Sequence, residues 1–271
     1  MAMADSPLTS AFTDFGTLLE RESDEIEQIN KHVRDLHRIN RTVSSQLQSI
    51  HTTATSAATL ASIAQSAADT LLAQSLPVLA ALSAVLSQSP PYKYHNTYNN
   101  ALQTTTAHLI LAHYATHRTL LTHQHTHSQL HLAPHIAFDT EDYLWAVSGL
   151  GKELVRLAVN GVRGGWVEVV GEVSVFLHDL YGGFRLLNLR NDGLRRRVDG
   201  LKYDVLRVEE ITYDLTVRGL LKRGAGVADG AVSGGGGSES GSGGQSQAAG
   251  AAEGGSGSGG GVSMKDTDTE S

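Results

Sequence analysis

Three sets of residues have types and spacings that could do chemistry. The first is Tyr92-Lys93-Tyr94-His95-Asn96-Thr97-Tyr98, in which Lys93 and His95 alternate with aromatic rings. Cations neutralise phosphates and rings stack on unpaired bases, so the pattern suits a single-stranded nucleic acid. It equally suits a solvated helix start whose tyrosines pack inward. The second set is Arg195, Arg196 and Arg197, which with Arg190, Lys202 and Arg207 make six basic residues within 18 positions. Consecutive residues of a helix point about 100° apart, so they cannot all face one ligand. Pairing of some with Asp192, Asp199 or Glu209 gives a solvated charged face; phosphate binding is the other reading.

The third set is histidine. Eight of the 13 histidines fall between residues 108 and 135. The pairs His113/His117, His123/His127 and His127/His131 are four apart, a spacing that can hold Zn²⁺ on one helical face. However, no HExxH motif occurs, the chain has no cysteine, and the nearest acids are Asp139 and Glu141. That ligand set is incomplete, so the segment reads as an exposed Thr/His-rich helix end without metal. Protonation below about pH 6.5 would add positive charge there and strengthen anion binding. The glycine-rich stretches lack the GxxxxGK[ST] pattern of a phosphate loop.

Bulk charge does not mark a nucleic-acid binder. The net charge is −7, and the last 48 residues carry six acids against Lys265 alone. The remaining 223 residues are then near neutral, and any anion binding must come from a local patch. The absence of cysteine excludes disulfides, thiolate metal sites and a cysteine nucleophile. The N-terminus MAMADSPLTS lacks a basic region followed by an apolar one, as a signal peptide would require. No run approaches 18 consecutive apolar residues, so no membrane span is expected, and the chain reads as intracellular.

Long helices must position these groups. Ile26, Ile29, Val33, Leu36, Ile39, Val43, Leu47 and Ile50 recur every three or four residues. Phe12, Phe15 and Leu19 extend the stripe backward to Ser6-Pro7, an N-cap and first-turn pair. This predicts one helix of roughly 40 residues, which needs several partners along its length. A second, Ala/Ser/Leu-rich helix over 54–88 must kink or restart at Pro77, and Pro90-Pro91 forms a break. A third helix is expected over 92–128. A fourth starts at Asp139-Thr140, with Glu141 and Asp142 favoured by the dipole of its first turn, and stops at Arg163-Gly164-Gly165. Phe176, Leu180, Phe184 and Leu187 give the next segment helical spacing, although Val169, Val170, Val173 and Val175 would suit a strand. Asn191-Asp192-Gly193 precedes a last helix with the seam Leu201, Val205, Val208, Ile211 and Leu215, a pattern that favours helix–helix contact. The domain should cover residues 5–223. Residues 224–271, rich in Gly and Ser and acidic, read as a disordered tail.

These elements carry a resemblance. GGFRLLNLRNDGLRRRVDGLKYDVLRVEEITYDLTVRGL at 182–220 and EDYLWAVSGLGKELVRLAVNGV at 141–162 resemble the C-terminal helices of the translin family. YKYHNTYNNALQ at 92–103 matches more weakly. The resemblance implies an all-α, seven-helix bundle with long antiparallel helices that assembles into an octameric shell. It further implies binding of single-stranded RNA and DNA, a related partner subunit (translin-associated factor X), and a cytoplasmic and nuclear location. Lys93 and His95 match the family's nucleic-acid contacts at the start of the third helix, while further basic positions fall at Thr97 and Asn99. Arg195, Arg196, Arg197 and Lys202 match an equally basic stretch near the C-terminus. The family's basic stretch in the second helix has no counterpart in TTATSAATLASIAQSAADTL.

The same resemblance bears on catalysis. Mg²⁺-dependent phosphodiester cleavage needs several converging carboxylates. Those of the related partner subunit align with Thr104, Ala107 and Gly149, leaving only Glu153, and residues 88–138 contain no Asp or Glu at all. The chain therefore reads as a non-catalytic, single-strand-binding subunit supporting small-RNA or tRNA-fragment processing, with no cofactor. The alternative is a weak Mg²⁺-dependent endoribonuclease acting as a homo-oligomer through Glu153. A purely structural coiled-coil adaptor is a third reading, against which the arginine cluster argues.

Overall fold

The computed structural model describes residues 7–90 and 92–221, all helix and connecting turn. The expected acidic tail at 224–271 lies outside the described residues. Nine helices occur among the described residues, seven of them with nine residues or more, in agreement with the all-α expectation.

Helix α1 (Pro7–Gln48) is the predicted long helix, running for 42 residues. Ile29, Val33, Leu36, Ile39, Val43 and Leu47 are its buried stripe. Each such side chain removed from water stabilises the fold by about 1.5–3 kcal/mol. The stripe's backward extension is not buried: Leu8, Phe12, Phe15, Leu19 and Ile26 are exposed. A four-residue turn of helix, α2 (Ile50–Thr53), leads into α3 (Ala57–Leu86). Ser56 caps α3 by accepting from the Thr59 amide, while Thr59 returns a bond to the cap backbone.

Pro77 lies inside the helix, so of the two outcomes expected there the restart does not occur. An 18-residue window of α3 reaches a mean hydropathy of 1.5, so by length and composition it could cross a membrane. Counting only uninterrupted apolar runs missed this, because Ser, Thr and Gln are scattered through an Ala/Leu background. In the fold, Leu60, Ala64, Ala67, Leu71, Leu79, Leu82 and Leu86 face the core at helical spacing.

Helix α4 (His95–His117) completes a three-helix layer with α1 and α3. Near one end, Glu25 Oε2 of α1 accepts from Ser89 Oγ at 2.8 Å and Tyr94 Oη at 2.7 Å. Farther along, Asn40 Nδ2 donates to the Ala101 carbonyl at 3.0 Å, and Thr105 Oγ1 donates to Asn40 Oδ1 at 3.1 Å. The order of these contacts makes α4 parallel to α1 and α3 antiparallel to both. The predicted helix over 92–128 is two helices. Arg118 caps α4 in the left-handed region at φ 60°, and α5 (His123–Gln129) follows with Thr122 as its N-cap. The Thr/His run has no continuous apolar face to carry one helix through.

The predicted fourth helix is also two. Helix α6 (Thr140–Ser148) has Asp139 and Asp142 in a reciprocal capping box. Gly149 then breaks the axis before α7 (Leu150–Arg163). The turn after α7 passes through Gly165 at φ 80°, a conformation that glycine adopts without steric cost. Helix α8 (Glu168–Arg185) settles the helix-or-strand ambiguity in favour of helix, and Asn191 caps α9 (Asp192–Val217). Leu201, Val205, Val208 and Leu215, most of the predicted seam, are buried among the chain's own helices, with α9 packing on α7 and α8.

Candidate nucleic-acid interface

Helix α6 has one residue of each predicted basic cluster against it. On one side, His95 Nε2 lies 2.8 Å from Asp142 Oδ2. On the other, Asn191 Nδ2 donates to Glu141 Oε1, and the Arg197 guanidinium lies 4.4 Å from the ring centroid of Trp145.

The arginine side is the more available. Leu194, Val198 and Leu201 are the buried face of α9, which leaves Arg195, Arg196, Arg197 and Lys202 on its exposed surface. The Asn191 side-chain oxygen fixes the start of that helix by accepting from the Gly193 and Leu194 amides at 2.9 and 3.1 Å. Gly193 lies flat against the indole: a Cβ there would come 3.1 Å from Trp145 Cζ2. This close approach seats Trp145 below the first turn of α9, where Arg197 covers it. Arg195 makes a loose ion pair with Asp192, 3.9 Å apart and largely exposed, which is worth little in water. Among the described residues, Arg196, Arg197 and Lys202 have no carboxylate at ion-pair distance. Of the expected pairings, only that with Asp192 forms, since Glu209 binds His178 at 2.8 Å instead.

Lys93 and His95 are already engaged. Lys93 Nζ pairs with Glu22 at 2.9 Å and stands 4.8 Å from the Tyr94 ring centroid. Its ammonium is held above the usual lysine range, first by Tyr94 and then by Glu22. His95 is mostly buried, its ring edge-on to Tyr92 and Tyr98. Its partner Asp142 also accepts from Gln103 Nε2 at 2.8 Å and the Asp139 amide at 3.2 Å. A phosphate at Lys93 or His95 would have to compete with a carboxylate already in place.

Trp145 was not singled out from the sequence, and Asn191 only as part of the break before the last helix. Trp145 is out of phase with the stripe Tyr143, Ala146, Val147 and Leu150, and that phase was the available signal.

Glu153, the carboxylate left for a nuclease site, lies on α7 with its Oε2 2.8 Å from His51 Nε2. The bond from His51 is the main cause holding its carboxyl below the ordinary range, with His51, Arg156 and His108 adding favourable charge. Burial works in the opposite direction. The surroundings of Glu153 are thus imidazoles and a guanidinium. Among the described residues, no group of three His, Cys, Asp or Glu side chains is arranged to hold a metal ion.

The Translin family profile matches residues 24–219. Translin of Gallus gallus is 54% identical over 92 residues, covering 34% of this chain and 40% of that protein. Translin of Bos taurus is 41% identical over 138 residues, covering 49% and 60%. Those matches therefore span about half the length of these relatives. Translin-associated protein X of Rattus norvegicus is 26% identical over 243 residues, covering 80% and 81%. A solved structure titled "Crystal structure of apo-NeC3PO" superposes with a TM-score of 0.56 at 18% identity, covering 72% of this chain and 94% of that one. That similarity is one of fold. With the family profile running from the middle of α1 to the end of α9, the chain belongs to the Translin family.

Proposed function

We propose that this chain is a single-stranded RNA- and DNA-binding subunit of a translin-type oligomer, non-catalytic itself, that supports small-RNA or tRNA-fragment processing beside a catalytic relative. The observation that carries the reading is Arg197 over Trp145, flanked by Arg195, Arg196 and Lys202. Cations that neutralise phosphates stand over an indole that a base can reach when the Arg197 guanidinium swings from the ring to a phosphate, which is the chemistry single strands require. Lys93 and His95 contribute across α6 when a phosphate displaces their carboxylates. Binding is sequence-tolerant, because phosphate neutralisation and stacking act on any base.

Self-association, to a homo-octamer or a hetero-octamer with a subunit like translin-associated protein X, is supported by two exposed apolar stripes. One is Leu8, Phe12, Phe15, Leu19 and Ile26 on α1. The other is Tyr203, Leu206, Tyr213 and Val217 along α9, with Leu220 in the turn beyond it. The second has heptad spacing, which suits packing against another helix. A cytoplasmic and nuclear location accords with this role. The chain needs no cofactor; Mg²⁺ enters only if it is a weak endoribonuclease through Glu153, and the imidazoles around Glu153 oppose that alternative.

The test is fluorescence anisotropy of the purified full chain with labelled single-stranded RNA, with and without Mg²⁺, followed by a denaturing gel. Salt-sensitive binding with intact RNA supports the reading. Mg²⁺-dependent cleavage abolished by Glu153→Ala replaces it with the enzyme alternative, and absence of binding leaves the adaptor.

A further inference from the structure

The histidines of the α4–α5 corner are arranged differently from a simple exposed helix end. His113 and His117 occupy the last two turns of α4 on one face, their ring centroids 4.6 Å apart. Each flanking hydroxyl takes one ring nitrogen and leaves the other. His113 Nε2 lies 3.2 Å from Thr119 Oγ1, and His125 Nδ1, in the first turn of α5, lies 2.7 Å from Thr122 Oγ1. A hydrogen bond on the second nitrogen is what orients a histidine ligand and selects its tautomer. His113 is half-buried, while His117 and His125 are exposed.

The corner itself is braced. Arg118, in its left-handed cap, donates from Nε to Glu172 at 2.7 Å and from Nη1 to the Ala115 carbonyl. Its charge is thereby committed to α8 and to the backbone. The C-terminal end of α4 also carries the negative pole of the helix dipole, which favours a cation.

From this geometry we infer that His113 and His117 form a chelating pair for a borderline divalent transition metal, Zn²⁺, Ni²⁺ or Cu²⁺, with His125 as the third imidazole. The metal class follows from the donors: imidazoles without carboxylate select these ions over Mg²⁺ and Ca²⁺. Two imidazoles one helical turn apart can chelate without a ready-made three-ligand cage, and His125, held by Thr122 through Nδ1 and near enough for its charge to act on His113, offers its Nε2 as a further donor. The other pair at this spacing within reach of the corner, His123 and His127, is occupied by packing. His123 stacks on Phe138 with its Nε2 buried, and His127 Nε2 faces the Phe138 carbonyl.

The experiment is calorimetric titration of the full chain with Zn²⁺ in a non-chelating buffer at neutral pH, on four proteins. The starting chain should show one saturable site per chain. His113→Ala with His117→Ala should weaken that site by about tenfold or more, whereas His123→Ala with His127→Ala should leave it unchanged. His125→Ala should give an intermediate loss. Far-UV circular dichroism confirms that each variant is folded, and the single exposed change His117→Ala serves if the double variant is not. Absence of a saturable site, or unaltered affinity in the variants lacking His117, overturns the assignment. Unaltered affinity in His125→Ala overturns the third ligand.

Discussion

His51 Nε2 and Glu153 Oε2 stand 2.8 Å apart, joining the short helix α2 to α7 across a site where His51 is 1% exposed and Glu153 36%. The carboxylate is thereby a structural acceptor. Its lowered pKa means that its contribution to stability is present above the unfolded value of 4.5 and is lost as pH falls through the folded value. Glu153→Gln should cost about 1 kcal/mol at pH 7, since the partly exposed carboxylate is screened by solvent, and the cost should vanish under acid conditions. Urea unfolding of both proteins across the acid range checks this. A cost that grew toward low pH would contradict the sign.

Asp204 has the opposite sign. Burial raises its pKa above 3.8, with Lys152 only partly offsetting the effect, so the charged form weakens the fold at neutral pH. Asp204→Asn should raise the Tm by about 1–3 °C at pH 7, with no gain once pH falls below the ordinary carboxylate range. The same side chain limits its neighbour. A Cβ at Gly151 would come 2.7 Å from Asp204 Oδ2 and 2.5 Å from Leu201 Cδ1, so Gly151→Ala should destabilise by about 1–3 kcal/mol in thermal melts.

The two basic clusters should separate by magnitude in a binding assay. Trp145→Ala should weaken single-stranded RNA binding by about 1–3 kcal/mol, the worth of one stacked base. Reversing Arg195, Arg196 and Arg197 to Glu should abolish binding and leave the helical circular dichroism intact. Lys93→Ala should have a smaller effect, because that cation is paired with Glu22 at 2.9 Å. Anisotropy at several salt concentrations separates the cases: each lost phosphate contact lowers the slope of log affinity against log salt by about 0.7. Equal effects of Lys93→Ala and of the triple reversal would contradict the assignment of the main contacts to α9.

Assembly should depend on the exposed stripes. Phe12→Ser with Phe15→Ser, or Tyr213→Ser with Val217→Ser, should lower the mass in light scattering without loss of helicity, since each of these side chains is more than half exposed in the single chain. Removal of residues 225–271 should change neither quantity. Loss of the assembled species on that deletion would show that the segment takes part in the fold.

The sequence showed helices well and their interruptions poorly. The α1 stripe from Ile29 to Leu47, the Asp139 cap and the Arg163-Gly164-Gly165 stop were all readable, because period and capping are local properties. Gly149 and Arg118 were missed as helix ends. Gly149 has helical backbone angles, φ −78° and ψ −17°, and only the packing of α6 and α7 requires the break there. Arg118 is an arginine where a left-handed cap ordinarily has glycine, and it is held by Glu172, 54 residues away. The seam on α9 was readable as a helix-packing face, but not which helices it meets: Leu201 and Val205 serve the chain's own core, while Tyr203 and Leu206 face outward. For the site, residue types showed which cations exist. Which of them are free was decided by Glu22 and Asp142, whose partners lie 71 and 47 positions away.

The exposed first half of α1 has a thermodynamic meaning. Between Leu8 and Arg21, ahead of the Glu22 and Glu25 contacts, that helix has almost no tertiary contact to repay the entropy of ordering, and an isolated helical stretch of this length is marginal in water. The geometric helix begins at Pro7, but in a lone chain the cooperatively folded body begins near Ile29. Amide exchange across the first five turns would then be rapid at low protein concentration. It would slow only as something occupies Phe12, Phe15 and Leu19, so that concentration, rather than sequence, sets where this fold begins.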